Sequence, residues 1–241
     1  MSPPRTGGRR FLFFGAAVVG FIVFVALGAW QVQRLGWKRD LIARVDARLQ
    51  APPIEAPGVA RFDPLEHEYR RVTLRGRFLN DRETLVQATT KLGGGYWVLT
   101  PFVVEDGLTV LVNRGFVESS RRDVRDWVRI DGPTTVRGLV RVSEPDGGFL
   151  RDNRPGDDRW YSRDVDAIAR ARDLDRVAPY FVDADGAESL ASTAPTGGLT
   201  VVRFRNNHLQ YALTWFALAA LLAVAAIRAY LQEKVDHPRR A

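Results

Sequence analysis

The 241-residue chain contains no cysteine, and its only methionine is Met1. No disulfide can therefore support the fold, and no thiolate nucleophile is available. Because soft copper sites rely on cysteine and methionine ligands, the composition argues against a copper carrier. The nitrogen ligands that remain for a metal are the imidazoles of His67, His208 and His237.

The common sequence signatures of enzymes are also missing. The chain has no G-x-S-x-G elbow, no P-loop, no G-x-G-x-x-G after a strand and no H-E-x-x-H. The glycines at 93–95 lack the downstream Lys-Ser/Thr of a phosphate-binding loop, so they predict a hairpin turn. His67, between Glu66 and Glu68, is interpreted as exposed. We expect a protein that is not an enzyme.

Two long runs, 11–29 and 209–227, contain no Asp, Glu, Lys or Arg. A charge at the centre of a membrane helix would cost roughly 2.5–3.5 kcal/mol, so long runs without charge are typical of transmembrane helices. The predicted transmembrane helices are 11–29 and 207–228. A cleaved signal peptide is the alternative for the first run. It is disfavoured because the run has about 19 apolar residues against the usual 7–15 of a signal, and no small-x-small cleavage site closes it.

Basic residues flank both runs on their outer ends. The tail at 1–10 carries three arginines and no acid, and in the tail at 229–241 Lys and Arg outnumber Asp and Glu by three to two. The positive-inside rule therefore predicts that both tails are cytoplasmic and that 30–206 lies outside the cytoplasm. The net charge of +7 is spread along the chain without a dense basic block. This pattern favours lipid headgroups, not nucleic acid, as the partner of the basic residues.

The first part of the middle region continues a helical pattern. Apolar residues from Trp30 and Trp37 to Leu49 recur at helical spacing, which predicts a stem helix at 30–50. A plain interfacial stem would explain this pattern, since tryptophans anchor helices at the membrane surface. The alternative is that the two tryptophans and Arg34 contact a ligand or a partner helix.

The rest of the middle region predicts short strands separated by turns. The predicted strands are 69–78, 82–90, 96–104, 108–117, 134–142, 178–182 and 199–204. Short helices are expected at about 119–127 and 164–172, the second capped by Asp164. The expected fold is thus an α+β membrane protein, in which two transmembrane helices flank an antiparallel, β-rich extracytoplasmic domain. That domain is a sheet or a partly closed barrel with two or three short helices.

His208 stands at the start of the second apolar run. Tyr211 and Trp215 follow at spacings of three and seven, so all three side chains can share one helix face. A neutral imidazole with apolar and aromatic neighbours is a common axial ligand of haem iron. An interfacial histidine within an ordinary aromatic belt would look the same, so the residues alone leave both interpretations open.

Several stretches together resemble a known family. They are 27–38 (LGAWQVQRLGWK), 69–72 (YRRV) with Gly76 and Phe78, 95–102 (GYWVLTPF), 112–115 (VNRG), 160–164 (WYSRD) and 207–216 (NHLQYALTWF). On these motifs the chain resembles the surfeit locus protein 1 (Surf/Shy) family of cytochrome c oxidase assembly factors, in a bacterial form. One departure is Phe116-Val117-Glu118, where the family pattern has Trp-Val-Pro.

The resemblance implies a membrane-anchored assembly factor that binds haem a and assists its insertion into the catalytic subunit of an aa3-type cytochrome c oxidase. It places His208 as the iron ligand, and we add Tyr211, Trp215, Trp30 and Arg34 as expected cofactor contacts. The expected partners are the oxidase catalytic subunit, haem a synthase and the lipid membrane. The expected location is the bacterial inner membrane, with a periplasmic central domain. The alternative is a haem-free scaffold that stabilises an oxidase assembly intermediate.

Overall fold

The computed structural model describes residues 6–125, 127–145, 151–186, 195–199 and 206–236. The chain divides into two compact units. The helical unit comprises 1–44 and 203–241, and the barrel unit comprises 45–202. Each unit is considered by itself below.

The elements within the described residues are as follows. The α-helices are α1 (Thr6–Gln50), α2 (Pro64–His67), α3 (Val165–Ala171) and α4 (His208–Asp236). The strands are β1 (Ile54–Glu55), β2 (Arg71–Phe78), β3 (Thr84–Thr90), β4 (Gly93–Val104), β5 (Thr109–Glu118), β6 (Thr134–Val142) and β7 (Val177–Ala184).

The helical unit is built from α4 and most of α1. Both helices are long and apolar enough to cross a membrane, over Phe11–Gln50 and His208–Gln232. The predicted membrane segment 11–29 and the predicted stem 30–50 lie in one continuous helix. The two helices pack through small residues such as Ala17 and Ala212, both of which are buried. Small residues let helix backbones approach closely, which favours association of helices in lipid.

The barrel unit contains a ring of five strands in the order β2-β6-β7-β5-β4, closed by the pairing of β4 with β2. The two-residue strand β1 and the strand β3 extend the sheet beyond this ring. The ring closes at Gly76, opposite Val104. A Cβ on Gly76 would lie 2.0 Å from the carbonyl oxygen of Val103, so only glycine allows this approach of two backbones. The expected β-rich domain is confirmed, and of the two expected forms, a sheet or a partly closed barrel, the structure has the barrel.

The sheet is mixed, whereas we expected antiparallel strands throughout. The β5–β7 and β1–β2 pairings are parallel, and the other pairings are antiparallel. The crossover that contains α3 returns the chain to the sheet before β7, so β7 can lie parallel to β5. The alternation of apolar and polar residues along a strand predicts which side chains share a face of the sheet, but it does not predict which strand pairs with it.

Two apolar clusters lie on opposite faces of the barrel strands. One draws side chains from all five ring strands, among them Leu74, Phe102 and Tyr180. The other packs Leu111 and Phe181 against α3. Because both faces are covered, every residue of β5 from Thr109 to Val117 is buried. The Asp164 cap of α3 is confirmed, since its carboxylate accepts a hydrogen bond from the Ala167 N–H at 3.1 Å.

Three local predictions were wrong. Gly93, Gly94 and Gly95 begin β4 and do not form the turn, which lies at 91–92, because β3 pairs with β4 up to Thr90–Gly93. The helix predicted at 119–127 is a single 3-10 turn at Ser119–Arg121. His67 is half-buried against the Phe62 ring, not exposed. The strand predicted at 199–204 lies almost wholly outside the described residues.

Candidate functional site at the start of α4

His208 is the first residue of α4 and is half-buried within the helical unit. Its Nδ1 atom lies 2.7 Å from the side-chain oxygen of Gln31 on α1. Gln31 is a polar residue in a mostly apolar run, yet its side chain is buried and the residue is only 9% exposed. The contact therefore joins two polar side chains that are 177 residues apart in sequence.

The Gln31 contact selects one form of the imidazole ring. An amide oxygen only accepts hydrogen bonds, so Nδ1 of His208 carries the proton and donates it. The lone pair of the neutral ring then lies on Nε2, the atom that ligates metals in this tautomer. Among the described residues, none forms a hydrogen bond with Nε2.

Glycine and aromatic side chains set the distance between α1 and α4. A Cβ on Gly28 would come within 2.6 Å of the Phe216 ring, so this ring occupies the space that glycine leaves. One turn earlier on α1, Phe24 stacks on Trp215 with ring centroids 5.7 Å apart. Trp215 therefore packs between the two helices.

The other expected contacts lie apart from the imidazole. Tyr211 is 54% exposed, and Trp30 and Arg34 are also exposed. The Arg34 guanidinium lies 4.7 Å from the centre of the Trp37 ring, on the same side of α1. Within the described residues, no hydrogen bond or ring contact joins His208 to any of these side chains. The structure thus unites His208 with Gln31 and does not bring the predicted set together.

The donor set suits a single axial bond better than a multi-ligand metal site. In the described part of the chain, no group of three or more His, Cys, Asp or Glu side chains could hold a metal ion. A haem iron needs only one or two axial ligands from the protein and otherwise prefers apolar surroundings. His208, whose Nδ1 is bonded to Gln31 and whose Nε2 has no hydrogen-bond partner among the described residues, fits this requirement. His67 belongs to the barrel unit, and His237 lies outside the described residues.

Gln31 was not among the site residues predicted from the sequence, although a signal for it was present. Gln31 shares a helix face with Gly28 and Leu35, at spacings of three and four. Gly28 meets α4 and Leu35 is buried, so Gln31 lies on the packed face of α1. A lone amide on an otherwise apolar packed face needs a polar partner, and this could have singled it out.

The barrel unit holds its own buried polar groups. Asp183 is 4% exposed, accepts a hydrogen bond from the Asn113 amide at 2.7 Å, and forms ion pairs with Arg141 and Arg163 at 3.1 and 3.3 Å. These bonds join β5, β6 and β7 to the segment before α3. The Asp183 cluster, defined by these four residues, therefore stabilises the way in which the barrel strands meet.

Two further buried groups in the barrel unit have raised pKa values. Burial raises the pKa of the Glu83 carboxyl above its usual range, although hydrogen bonds from Trp127 and Thr100 oppose the shift. Burial also raises the pKa of the Tyr180 hydroxyl, which donates to the backbone oxygen of Pro57 at 2.8 Å. Both groups are tied to neighbours within the core.

Known proteins resemble the chain over most of its length. The model of the SURF1 family matches residues 18–220, a range that includes both Gln31 and His208. Surfeit locus protein 1 of Rattus norvegicus is 35% identical over 238 residues, covering 88% of this chain and 75% of the rat protein. The Homo sapiens protein of the same name is 36% identical over 228 residues, covering 86% and 73%. A SURF1-like protein of Monosiga brevicollis is 33% identical over 231 residues, covering 90% and 85%.

Proposed function

The chain belongs to the SURF1 family of cytochrome c oxidase assembly factors, and on that premise we propose that it binds haem a through His208. In this proposal it assists the insertion of haem a into the catalytic subunit of the oxidase. It acts as a chaperone without catalytic turnover.

The His208–Gln31 hydrogen bond is the observation that carries the proposal. A histidine that only anchors a helix at the membrane surface would be free to take either tautomer or to turn towards water. Here Nδ1 lies 2.7 Å from an acceptor, which supports the proposal because it leaves on Nε2 the lone pair that a ligand needs. Metal-binding histidines are oriented in the same way, by a hydrogen bond to the second ring nitrogen.

Haem a, when bound, would supply an iron that accepts an imidazole nitrogen. The chain's own residues would hold the group and shield it. His208 would provide a nitrogen to the iron, Gln31 would hold the imidazole ring, and Tyr211 and Trp215 would add aromatic surface on the first turns of α4. Trp30 and Arg34 remain expected contacts, because aromatic and cationic side chains suit a macrocycle that carries carboxylates.

The charge pattern supports a location for this chemistry. We propose a bacterial inner-membrane protein with membrane helices at 11–29 and 207–228, and with the tails at 1–10 and 229–241 in the cytoplasm. The domain at 30–206, including the stem at 30–50, would then be periplasmic, and His208 would lie near the periplasmic surface. Its partners would be the oxidase catalytic subunit and haem a synthase.

Purification of the protein from cells that make haem a tests this proposal. The parent protein is expected to show the absorption spectrum of bound haem a, and His208→Ala should lose or strongly alter it. His67→Ala is the matched control, because it removes a histidine from the barrel unit by the same substitution. Equal haem content in His208→Ala and the parent would refute ligation by His208.

A haem-free scaffold is the second candidate function. Trp30 and Trp37 are each 50% exposed along α1, a surface that suits a partner helix. In that case neither the parent nor His208→Ala would carry haem, yet deletion of the gene would still impair oxidase assembly. Substituting both tryptophans with alanine would then reproduce the assembly defect, whereas under the haem proposal His208→Ala would reproduce it.

A further inference from the structure

We infer that Gln31 is the positioning residue for the His208 imidazole, and that its side-chain oxygen governs how strongly His208 holds haem iron. The inference rests on the proposed function, because it concerns the ligand that His208 would provide. It adds to the His208 site a residue of the first helix that was not among those predicted from the sequence.

Burial gives the first reason. Gln31 is 9% exposed on the packed face of α1. A buried amide without a hydrogen bond destabilises its surroundings, and an apolar side chain would serve simple packing better. The amide oxygen is satisfied by His208 Nδ1 at 2.7 Å. The pair is therefore specific to one arrangement of the two helices.

Close packing gives the second reason. Gly28 lies one turn before Gln31 on α1, where any Cβ would meet the Phe216 ring at 2.6 Å. Gly20, two turns further back, also lies close to α4, since a Cβ there would be 3.0 Å from Leu222. Small residues at these positions keep the helices near enough for the Gln31 side chain to reach the imidazole.

The hydrogen bond at Nδ1 affects how strongly Nε2 of the same imidazole can bind a metal. A hydrogen bond from Nδ1–H increases the basicity of Nε2 and fixes the plane of the ring, and loss of such a partner commonly weakens metal binding about 10–100-fold. A stronger acceptor at the same place would make Nε2 a better electron donor to the iron, and would thereby lower the reduction potential of the iron. An apolar side chain removes both effects.

Substitutions at Gln31 test this role, with Gln33 as the matched control on the same helix. Gln33 is exposed, so Gln33→Leu makes the same chemical change away from α4. Gln31→Leu is expected to bind haem a about 10–100-fold more weakly and to raise its midpoint potential. Gln31→Glu, measured at alkaline pH, should bind haem a with a lowered potential, and Gln33→Leu should match the parent.

The outcomes separate this inference from the proposed function. If His208→Ala keeps the haem of the parent, ligation by His208 is refuted and the role of Gln31 falls with it. If His208→Ala loses haem while both Gln31 variants keep the affinity and potential of the parent, only the Gln31 inference is overturned. If Gln31→Leu does not accumulate, Gln31→Glu decides: a lowered potential supports the inference, and the potential of the parent overturns it.

Discussion

Asp183→Asn is expected to destabilise the barrel unit far more than the same change at Asp185. Asp183 is 4% exposed and pairs with Arg141 and Arg163, whose side chains are 17% and 13% exposed. Removing its charge leaves two guanidinium groups facing a neutral amide in a mostly dry site. Arg163 keeps its second carboxylate partner, Glu144, at 2.5 Å, which limits the loss.

The size of the expected destabilisation depends on how deeply each ion pair is buried. Removing one partner from a buried ion pair costs about 3–5 kcal/mol, and the remaining partner of Arg163 favours the lower end, about 3 kcal/mol. Asp185 lies two residues further on and pairs with Arg71 at 2.5 Å, but this pair is about one-third exposed on both sides. Exposed pairs contribute about 0–1 kcal/mol, so Asp185→Asn should have little effect.

Thermal unfolding of the full-length protein in detergent micelles, followed by near-ultraviolet circular dichroism, measures this difference. For a domain of 150–250 residues, 1 kcal/mol corresponds to about 2–4 °C. Asp183→Asn should therefore lower the midpoint by about 6–12 °C, and Asp185→Asn by less than about 4 °C. Equal shifts for the two variants would refute the argument that burial decides the contribution of these ion pairs.

Three more changes follow from the structure. Burial raises the pKa of Glu83 on folding, so the contribution of this carboxyl to stability should be present below its unfolded pKa and lost as pH rises through the raised pKa. Glu83→Gln should reduce this loss, as measured by unfolding midpoints across pH, and an unchanged slope would contradict it. Tyr180→Phe should cost about 1 kcal/mol in the same unfolding assay, since the backbone oxygen of Pro57 loses its donor, and no measurable change would show that the bond contributes nothing. Gly28→Val should weaken haem a binding, because the added side chain pushes Phe216 and α4 away. Combining Gly28→Val with Phe216→Ala should recover part of the lost haem a binding, and no recovery would contradict the packing argument.

The main elements of the fold could be predicted because their signals are local. The runs without charge predicted both long helices, and the alternation of apolar and polar residues predicted most strands. In β2, for example, Val72 and Leu74 are buried and Arg75 is exposed. The glycines at 93–95 misled the prediction, because glycine also occurs where strands approach closely. A Cβ on Gly95 would lie 2.1 Å from the Val117 oxygen, so this glycine serves strand packing and not a turn.

The sequence by itself determined the two membrane-length helices, the absence of thiol chemistry and the position of His208 at the start of the second helix. Each follows from composition or spacing within one segment. Only the tertiary structure decided that β5 and β7 pair in parallel and that Gln31 is the partner of His208. Such contacts join residues distant in the chain, and they depend on which faces pack together and how closely, which no local pattern encodes.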